Sequence, residues 1–567
     1  MKRREFIKTI LCLLFAFGIP VALGRGADTV NLEVVHRIKA EAFKNSQVMD
    51  HLFYLTDVNG PRLTGSPGLQ TAADWAVKRL KEFGAENPHF ESWGPFKRGW
   101  SFSSFQIQMN KPVYAPLHGA PMAWSRGTEG PVHAGVIAAP FLHEDDPPWE
   151  LDITTLNERV KEFREHWQGK LHGKIVLLDN LRNFEQAKEA ASERLDEKNL
   201  GTLSDEPELF PARKPNWVPD RLPRDSKKRR EFLHGLPLEI AVDYWDRKEA
   251  AFDRINTFLH DEGVAAVLRT DKRGAGNTLF AEGAGMYTTS GESAPPSVKL
   301  SPEQYNRLLR LAEKSIPVEI EINLDVSFSD NPPVANVLAE IPGGQKKDEI
   351  VMLGGHLDSW HSGTGATDNG AGCAVVMEAF RILRALDLKM DRTIRLALWS
   401  GEEQGLYGSR AYIRDHFADP YKMQLKPEHA KLCGYFNLDN GSGKIRGVYL
   451  QGNDMMRPIF ETWLAPFKDL AATTISIRNT GGTDHLSFDA VGLPGFQFIQ
   501  DPLDYETRTH HSEMDVYDHA EPGDLMQASA IIASIVYNAA TREALLPRKP
   551  LPEALPPKQV VADSKRN

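Results

Sequence analysis

Five short segments in the second half of the chain concentrate imidazole and carboxylate side chains. They are Gly355-His356-Leu357-Asp358-Ser359, the Gly365–Gly372 stretch with Asp368-Asn369 at its centre, Ser400-Gly401-Glu402-Glu403-Gln404-Gly405, Asn437-Leu438-Asp439, and His510-His511-Ser512-Glu513-Met514-Asp515. Singly, each is ordinary. A histidine after a strand is commonly a hydrogen-bonded structural residue, adjacent glutamates commonly face solvent, and Asp before Asn-Gly commonly makes a turn or a helix cap. Together they form a donor set. Imidazole nitrogen and carboxylate oxygen suit zinc, whose catalytic sites keep one position open for water. Two such ions about 3.5–4 Å apart need an anion between them. A carboxylate, with two oxygens, can bridge them where an imidazole cannot. Neighbouring glutamates can divide the work, one binding metal while the other accepts a proton from bound water.

These segments act as one site only if the fold gathers them. From residue 334 onward the pattern predicts strands over 334–341, 349–354, 393–399, 431–438 and 495–499. Helices are predicted over 371–386, 406–417, 455–467 and 522–540. In 371–386 the residues Cys373, Val376, Met377, Phe380 and Leu383 recur at helical spacing. Alternation of this kind indicates an α/β domain with a largely parallel sheet, whose site lies beyond the C-terminal ends of the strands. Four of the five segments fall at such ends, and the fifth lies in the loop before the last helix. Upstream, 71–83 reads as a helix closed by Gly84, and 173–178 and 263–268 read as short buried strands. Residues 181–250 are charged and proline-containing. With the run Lys227-Lys228-Arg229-Arg230 they read as a solvated surface insertion. The tail from Pro547 onward reads as disordered.

Composition sets the limits. A chain of 567 residues favours two or more domains. Its formal net charge of −10 argues against a nucleic-acid partner, which requires a positive surface. Of three cysteines, Cys12 lies in an N-terminal apolar run, leaving Cys373 and Cys433. That is neither a disulfide framework nor a thiolate zinc site, so a metal must be held by His, Asp and Glu. The basic residues 2–8, the apolar run Ile10–Leu23 and Ala22-Leu23-Gly24 read as a signal peptide over 1–24. Arg3-Arg4-x-Phe6-Ile7-Lys8 resembles a twin-arginine signal, which predicts export to the periplasm or beyond. No later segment is long and apolar enough to span a bilayer.

The His-x-Asp, Asp-Asn-Gly-Ala-Gly and Glu-Glu motifs, in this order and preceded by Gly60-Pro61-Arg62-Leu63-Thr64-Gly65-Ser66, resemble the family of co-catalytic zinc aminopeptidases and carboxypeptidases. The resemblance covers residues 50–95 and 334–540. It implies an α/β zinc-exopeptidase sandwich, with a mostly parallel central sheet flanked by helices, and two Zn²⁺ per chain. By the same resemblance, Asp368 bridges the metals, His356 and Asp439 complete one zinc, and Glu403 and His511 complete the other. Glu402 is then the general base and Asp358 orients His356. His511 rather than His510 is the ligand, because the family's His-x-x-x-Asp spacing then ends on Asp515. Thr483-Asp484-His485 also resembles a family segment near the site, with no role assigned. Residues 111–320 resemble the mostly-β protease-associated domain that members carry as an insert, which leaves 30–110 and 334–545 as the peptidase domain. The early insert and Asn336–Gly343 look most like the carboxypeptidase Q branch. The implied activity is a metal-dependent exopeptidase on dipeptides or short peptides, the alternative being an aminopeptidase on longer ones. A receptor-like or glutaminyl-cyclase-like member fits a complete ligand set less well. A homodimer is compatible with the resemblance. An exopeptidase must also hold a chain end. Arg508, three residues before His511, can clamp a substrate carboxylate, although a loop arginine is more often simply exposed.

Overall fold

The computed structural model describes residues 28–556, apart from 145, 147–150, 185–189, 207–217, 224–227, 229–231, 234–235, 275 and 286–293. The signal-peptide segment and most of the 227–230 basic run therefore lie outside the described residues.

The larger layer is an eight-stranded sheet. In spatial order its strands are Glu86–Ser92, Ala335–Ile341, Arg392–Trp399, Lys346–His356, Leu432–Asn437, Gly495–Gln500, Ile445–Tyr449 and Thr474–Ser476. The four central strands, from 392–399 to 495–500, run parallel. Antiparallel strands 335–341 and 445–449 flank them. The central strands are covered on both faces, which is why they read as unbroken apolar runs such as Ile350-Val351-Met352-Leu353 rather than as alternations. One face carries the helices Leu32–Lys44, Ala371–Ala385 and Pro522–Thr541, packed into the largest apolar core. The last of these is buried almost all round from Leu525 to Ala540, as its uniformly apolar sequence requires. No helix among the described residues is long and apolar enough to cross a membrane. Helices Tyr407–His416 and His485–Asp489 cover the other face through Trp399, Tyr412, Tyr435 and Phe488. The helix expected over 455–467 stops at Leu464 and continues as a 3₁₀ turn, Ala465–Leu470, where Pro466 lacks the N–H that α-helical bonding needs.

A second eight-stranded sheet is built from residues 98–330. It is therefore wider than the 111–320 insert read from sequence. Its outer part is a long antiparallel ribbon, Arg98–Lys111 against Glu319–Asp330, registered from Arg98↔Asp330 to Lys111↔Glu319. Its inner strands Val132–Ala138, Ile175–Leu177, Ala266–Arg269 and Ser297–Leu300 are parallel. Two long helices, Ile153–Trp167 and Leu238–Asp261, pack on one face. The second begins inside the segment read as a charged surface insertion. Its buried stripe (Ile240, Tyr244, Ala251, Ile255, Phe258, Leu259) is diluted by charged residues facing out, so mean composition hides an amphipathic period.

The tail also differs from its expectation up to residue 556. It has no regular secondary structure, yet Arg548 donates to the Leu432 carbonyl at 2.6 Å, Lys549 pairs with Asp489 at 2.5 Å, and Leu555 is buried. Side-chain anchors of this kind leave no periodic trace in a Pro- and Lys-rich sequence.

Candidate metal centre

His356 is the last residue of its strand and lies level with Trp399 on one neighbour, while Gly354 lies level with Asn437 on the other. The three strands therefore end together, about 4.8 Å apart. The residues just beyond them, Asp358, Glu402-Glu403 and Asp439, converge on one spot. Asp368 reaches it from the turn before helix Ala371–Ala385. His510 and His511 reach it from the loop after strand Gly495–Gln500.

Asp368 is the hub. Its Oδ1 lies 3.3 Å from His356 Nε2 and its Oδ2 lies 3.2 Å from His511 Nε2. On the His356 side, Asp439 Oδ1 is 3.2 Å from His356 Nε2, and Glu402 Oε2 is 3.9 Å away. On the His511 side, Glu403 Oε2 is 3.1 Å from His511 Nε2. The adjacent glutamates thus face different histidines. His510 Nε2 is 3.8 Å from Asp368 Oδ2, and its Nδ1 looks towards Glu506. His511 is the nearer of the pair, and it alone reaches Glu403.

Four groups behind the hub fix these positions. Asp515 Oδ1 accepts from the Thr367 N–H and hydroxyl, and its Oδ2 accepts from the Asp368 N–H at 3.2 Å. Asn369 ties the same turn to the next strand end, donating to the Leu438 carbonyl at 2.9 Å. Asp358 behaves differently from its expected role. The contact to His356 Nδ1 comes from the Asp358 main-chain carbonyl at 3.0 Å, with the carboxylate at 3.7 Å. That carboxylate instead accepts from the Glu402 and Glu403 N–H groups and from the Thr64 hydroxyl. A main-chain carbonyl orients a histidine as well as a carboxylate does, which frees the Asp358 side chain to hold the glutamate turn. Arg62 is fully buried and donates to the carbonyls of Leu55, Leu357, Thr364 and Gly365, clamping the segments on either side of the hub. Burial lowers its pKa.

Charge is crowded here. Burial pushes the Glu402 carboxyl well above the ordinary range. The charges of Asp439, Asp484 and Glu403 push further against the pull of His356. Burial likewise lifts Glu403, Asp484 and Asp515 to about 7. His356 and His511 are drawn upward, against burial, by the same carboxylates. Asp368 Oδ2 and Glu403 Oε1 are buried and make no hydrogen bond. Orphaned carboxylate oxygens beside imidazole nitrogens are the ligand set of a cation. Two groups, Asp368 with His510 and His511, and His356 with Asp368 and Glu403, bring their donor atoms within 4.8 Å of one another. Zinc therefore fits the residues present.

The cluster opens into a cavity of about 2060 Å³, whose opposite wall comes from the second sheet unit and includes Trp124, Glu249 and Glu282. Glu282 Oε1 lies 2.9 Å from His511 Nδ1. Burial opposes its charge, but His511, Arg273 and Lys299 together hold its carboxyl well below the usual range. Nothing around Glu282 in the sequence marks it, because its partner is 229 residues away. Arg508 does not reach the cavity: its side chain is 48% exposed, and its guanidinium stands 4.0 Å from Asp504. The structure thus favours the exposed-arginine reading. Asp484 and His485 are buried behind the site, the His485 Nε2 against the Thr480 carbonyl.

An α/β sheet whose parallel strand ends gather imidazole and carboxylate around an open cleft is the arrangement of a metal-dependent hydrolase. The family model of peptidase family M28 matches residues 336–536. Carboxypeptidase Q of Mus musculus is 30% identical over 500 residues, covering 88% of this chain and 87% of that protein. An M28 peptidase precursor of Shewanella amazonensis shares the fold with a TM-score of 0.61 at 23% identity, over 92% of this chain and 98% of that one. The zinc aminopeptidase of Bacillus subtilis does so with a TM-score of 0.51 at 17% identity, over 88% and 95%. The chain belongs to peptidase family M28. It is a zinc metallopeptidase, and its activity is that of a metal-dependent exopeptidase.

Proposed function

We propose that this exopeptidase works with two zinc ions that share Asp368, and that it cleaves dipeptides or short peptides with free termini. His356 and Asp439 would hold one ion, and Glu403 and His511 the other. Bound zinc supplies Lewis acidity toward the scissile carbonyl and lowers the pKa of water. Glu402, whose Oε2 lies 3.9 Å from His356 Nε2, would serve as the general base, taking a proton from water and passing it to the leaving amine. Asp358 keeps Glu402 and Glu403 pointing apart by holding both of their N–H groups. No Ser or Cys nucleophile is required: Cys373 is buried, with its thiol pushed up to about 12 by burial.

The observation carrying the two-ion reading is that the two oxygens of Asp368 face different histidines. Its test is zinc stoichiometry after dialysis. Asp368→Ala should lose both ions, whereas His356→Ala and His511→Ala should each weaken one. Two retained zincs in Asp368→Ala would end the two-ion reading. His510→Ala should keep the wild-type stoichiometry.

The short-substrate reading rests on likeness to carboxypeptidase Q. Against it stands an aminopeptidase reading, supported by 28% identity over 230 residues to aminopeptidase YwaD of Bacillus subtilis. Product analysis separates them. Dipeptides free at both ends should be cleaved faster than the same dipeptides amidated at the C-terminus. Equal rates on both, with sequential release from the amino end of longer peptides, would favour the aminopeptidase.

A further inference from the structure

The loop that carries His511 is held on one side by its own unit, through Asp515 and the 364–368 turn, and on the other by the second sheet unit. Glu513 N donates to the Leu279 carbonyl at 3.0 Å, its carboxylate accepts from the Leu279 N–H at 3.1 Å, and Phe280 bridges Ser512 as a strand would. His118 adds a contact to Glu513 at 2.9 Å, and Glu193 bridges Leu503 where the loop begins. Every one of these partners belongs to the second sheet unit. Within this seam His511 adopts φ 63°, a left-handed conformation that a residue with a β-carbon rarely takes up. Glu282 meets His511 in this pose.

We infer that Glu282 is a positioning residue of the metal centre, through which the second sheet unit completes the His511 half of the site; this rests on the two-zinc reading above. Its Oε1 is 2.9 Å from His511 Nδ1. With the ring proton on Nδ1 and donated to this carboxylate, the lone pair of Nε2 faces Asp368 Oδ2 and Glu403 Oε2 at 3.2 and 3.1 Å, where a zinc would sit. Glu282 is itself fixed. Arg273 Nη2 donates to the same carboxylate at 2.9 Å, while Arg273 is held by Asp271 and lies over the Phe280 ring. A carboxylate so placed selects the tautomer, fixes the ring plane and raises the basicity of Nε2. His356, in the other half, has its Nδ1 on a carbonyl two residues away and needs no second unit. The expected consequence is asymmetric: losing Glu282 loosens one zinc and leaves the other.

The test is zinc affinity measured by chelator competition on the full chain, for Glu282→Ala, Glu282→Gln, Glu513→Ala and His511→Ala, with near-UV circular dichroism as the check on folding. Glu282→Ala should weaken one ion by about 10–100-fold and leave the other unchanged. Glu282→Gln, which keeps an acceptor without the charge, should lie between Ala and wild type. Glu513→Ala cuts the same seam without touching His511 and should keep both affinities. If Glu282→Ala and Glu282→Gln bind both ions like wild type while His511→Ala loses one, the positioning role is refuted and the two-zinc reading survives. If Glu513→Ala weakens zinc as much as Glu282→Ala, the seam acts by holding the loop and the carboxylate has no role of its own. If His511→Ala itself retains both ions, the metal-centre assignment falls and this inference with it.

Discussion

His356 and His511 face opposite oxygens of Asp368, yet the chain holds them by different means. His356 terminates a central strand, is 1% exposed, and has its outer nitrogen on the main-chain carbonyl of Asp358. Asp439 arrives beside it from the next parallel strand, in a register set by the sheet itself. His511 sits on a loop in a left-handed conformation, with its side chain 21% exposed and its outer nitrogen on Glu282 from the second sheet unit. One half of the centre is a property of the sheet. The other is a property of the contact between two units. Sheet ends are rigid and loops are not, so a ligand on a loop needs outside support to be as well placed as one on a strand.

The largest expected effect bypasses this contrast, because it removes the chemistry while sparing both halves. Glu402→Gln should lower kcat by about 10²–10⁴ with zinc content unchanged, the scale of a lost general base; turnover close to wild type would move the base elsewhere. Removing zinc comes next. A chelator-treated protein, its stability measured by calorimetry, should lose about 4 kcal/mol for each ion relative to protein with free zinc at a thousand times that ion's Kd. Limited proteolysis of the zinc-free protein should also cut the His511 loop before the strand ends. If cleavage begins at residues 432–439 instead, the contrast between the halves is wrong.

Arg62→Met probes the strand-held half from behind. It strands four buried carbonyls, and at about 1–3 kcal/mol for each unsatisfied acceptor, partly relieved by relaxation, the cost should be about 3 kcal/mol in urea unfolding. A loss under about 1 kcal/mol would mean that water replaces the guanidinium. The smallest effect lies outside the metal cluster. His416 meets Glu428 at 3.3 Å and Glu91 at 2.9 Å, and these hydrogen bonds, against burial, raise its pKa to about 9. Because the folded pKa is raised, the stabilisation is fully present below about 6.5, the unfolded value. It is lost as pH climbs through about 9. Partial exposure limits it to about 1 kcal/mol. His416→Gln should therefore lower the Tm at pH 6 and have almost no effect at pH 10, while zinc binding stays unchanged at both. A change in zinc binding would show that strain travels from this helix to the strand ends.

Much of the candidate site was legible in the amino-acid order because donor residues at parallel strand ends obey two local rules together. A covered strand reads as an apolar run, and the donor follows it within one to four residues: His356 ends Ile350–Gly355, Glu402 and Glu403 follow Trp399, and Asp439 follows Asn437. Those rules are short-range, so one chain suffices to apply them. The same rules located the helices Ala371–Ala385 and Pro522–Thr541, whose apolar positions are dense enough to survive averaging. They failed for Leu238–Asp261, where charge on the outer face masked the buried stripe. They say nothing of Arg508, which lies in a loop and whose two readings only its 48% side-chain exposure bears on.

What the sequence by itself determined was the donor chemistry and the strand ends that carry it, because residue type and period are written locally. The tertiary structure alone decided which oxygen of Asp368 meets which histidine, that Asp358 serves the glutamate turn with its carboxylate and His356 with its carbonyl, and that Arg62 and Glu282 belong to the site. Arg62 reaches Gly365 across 303 residues and Glu282 reaches His511 across 229. The first depends on how the N-terminal segment folds back onto the catalytic half and the second on how the two sheets are set against each other, and no local pattern of residues encodes either.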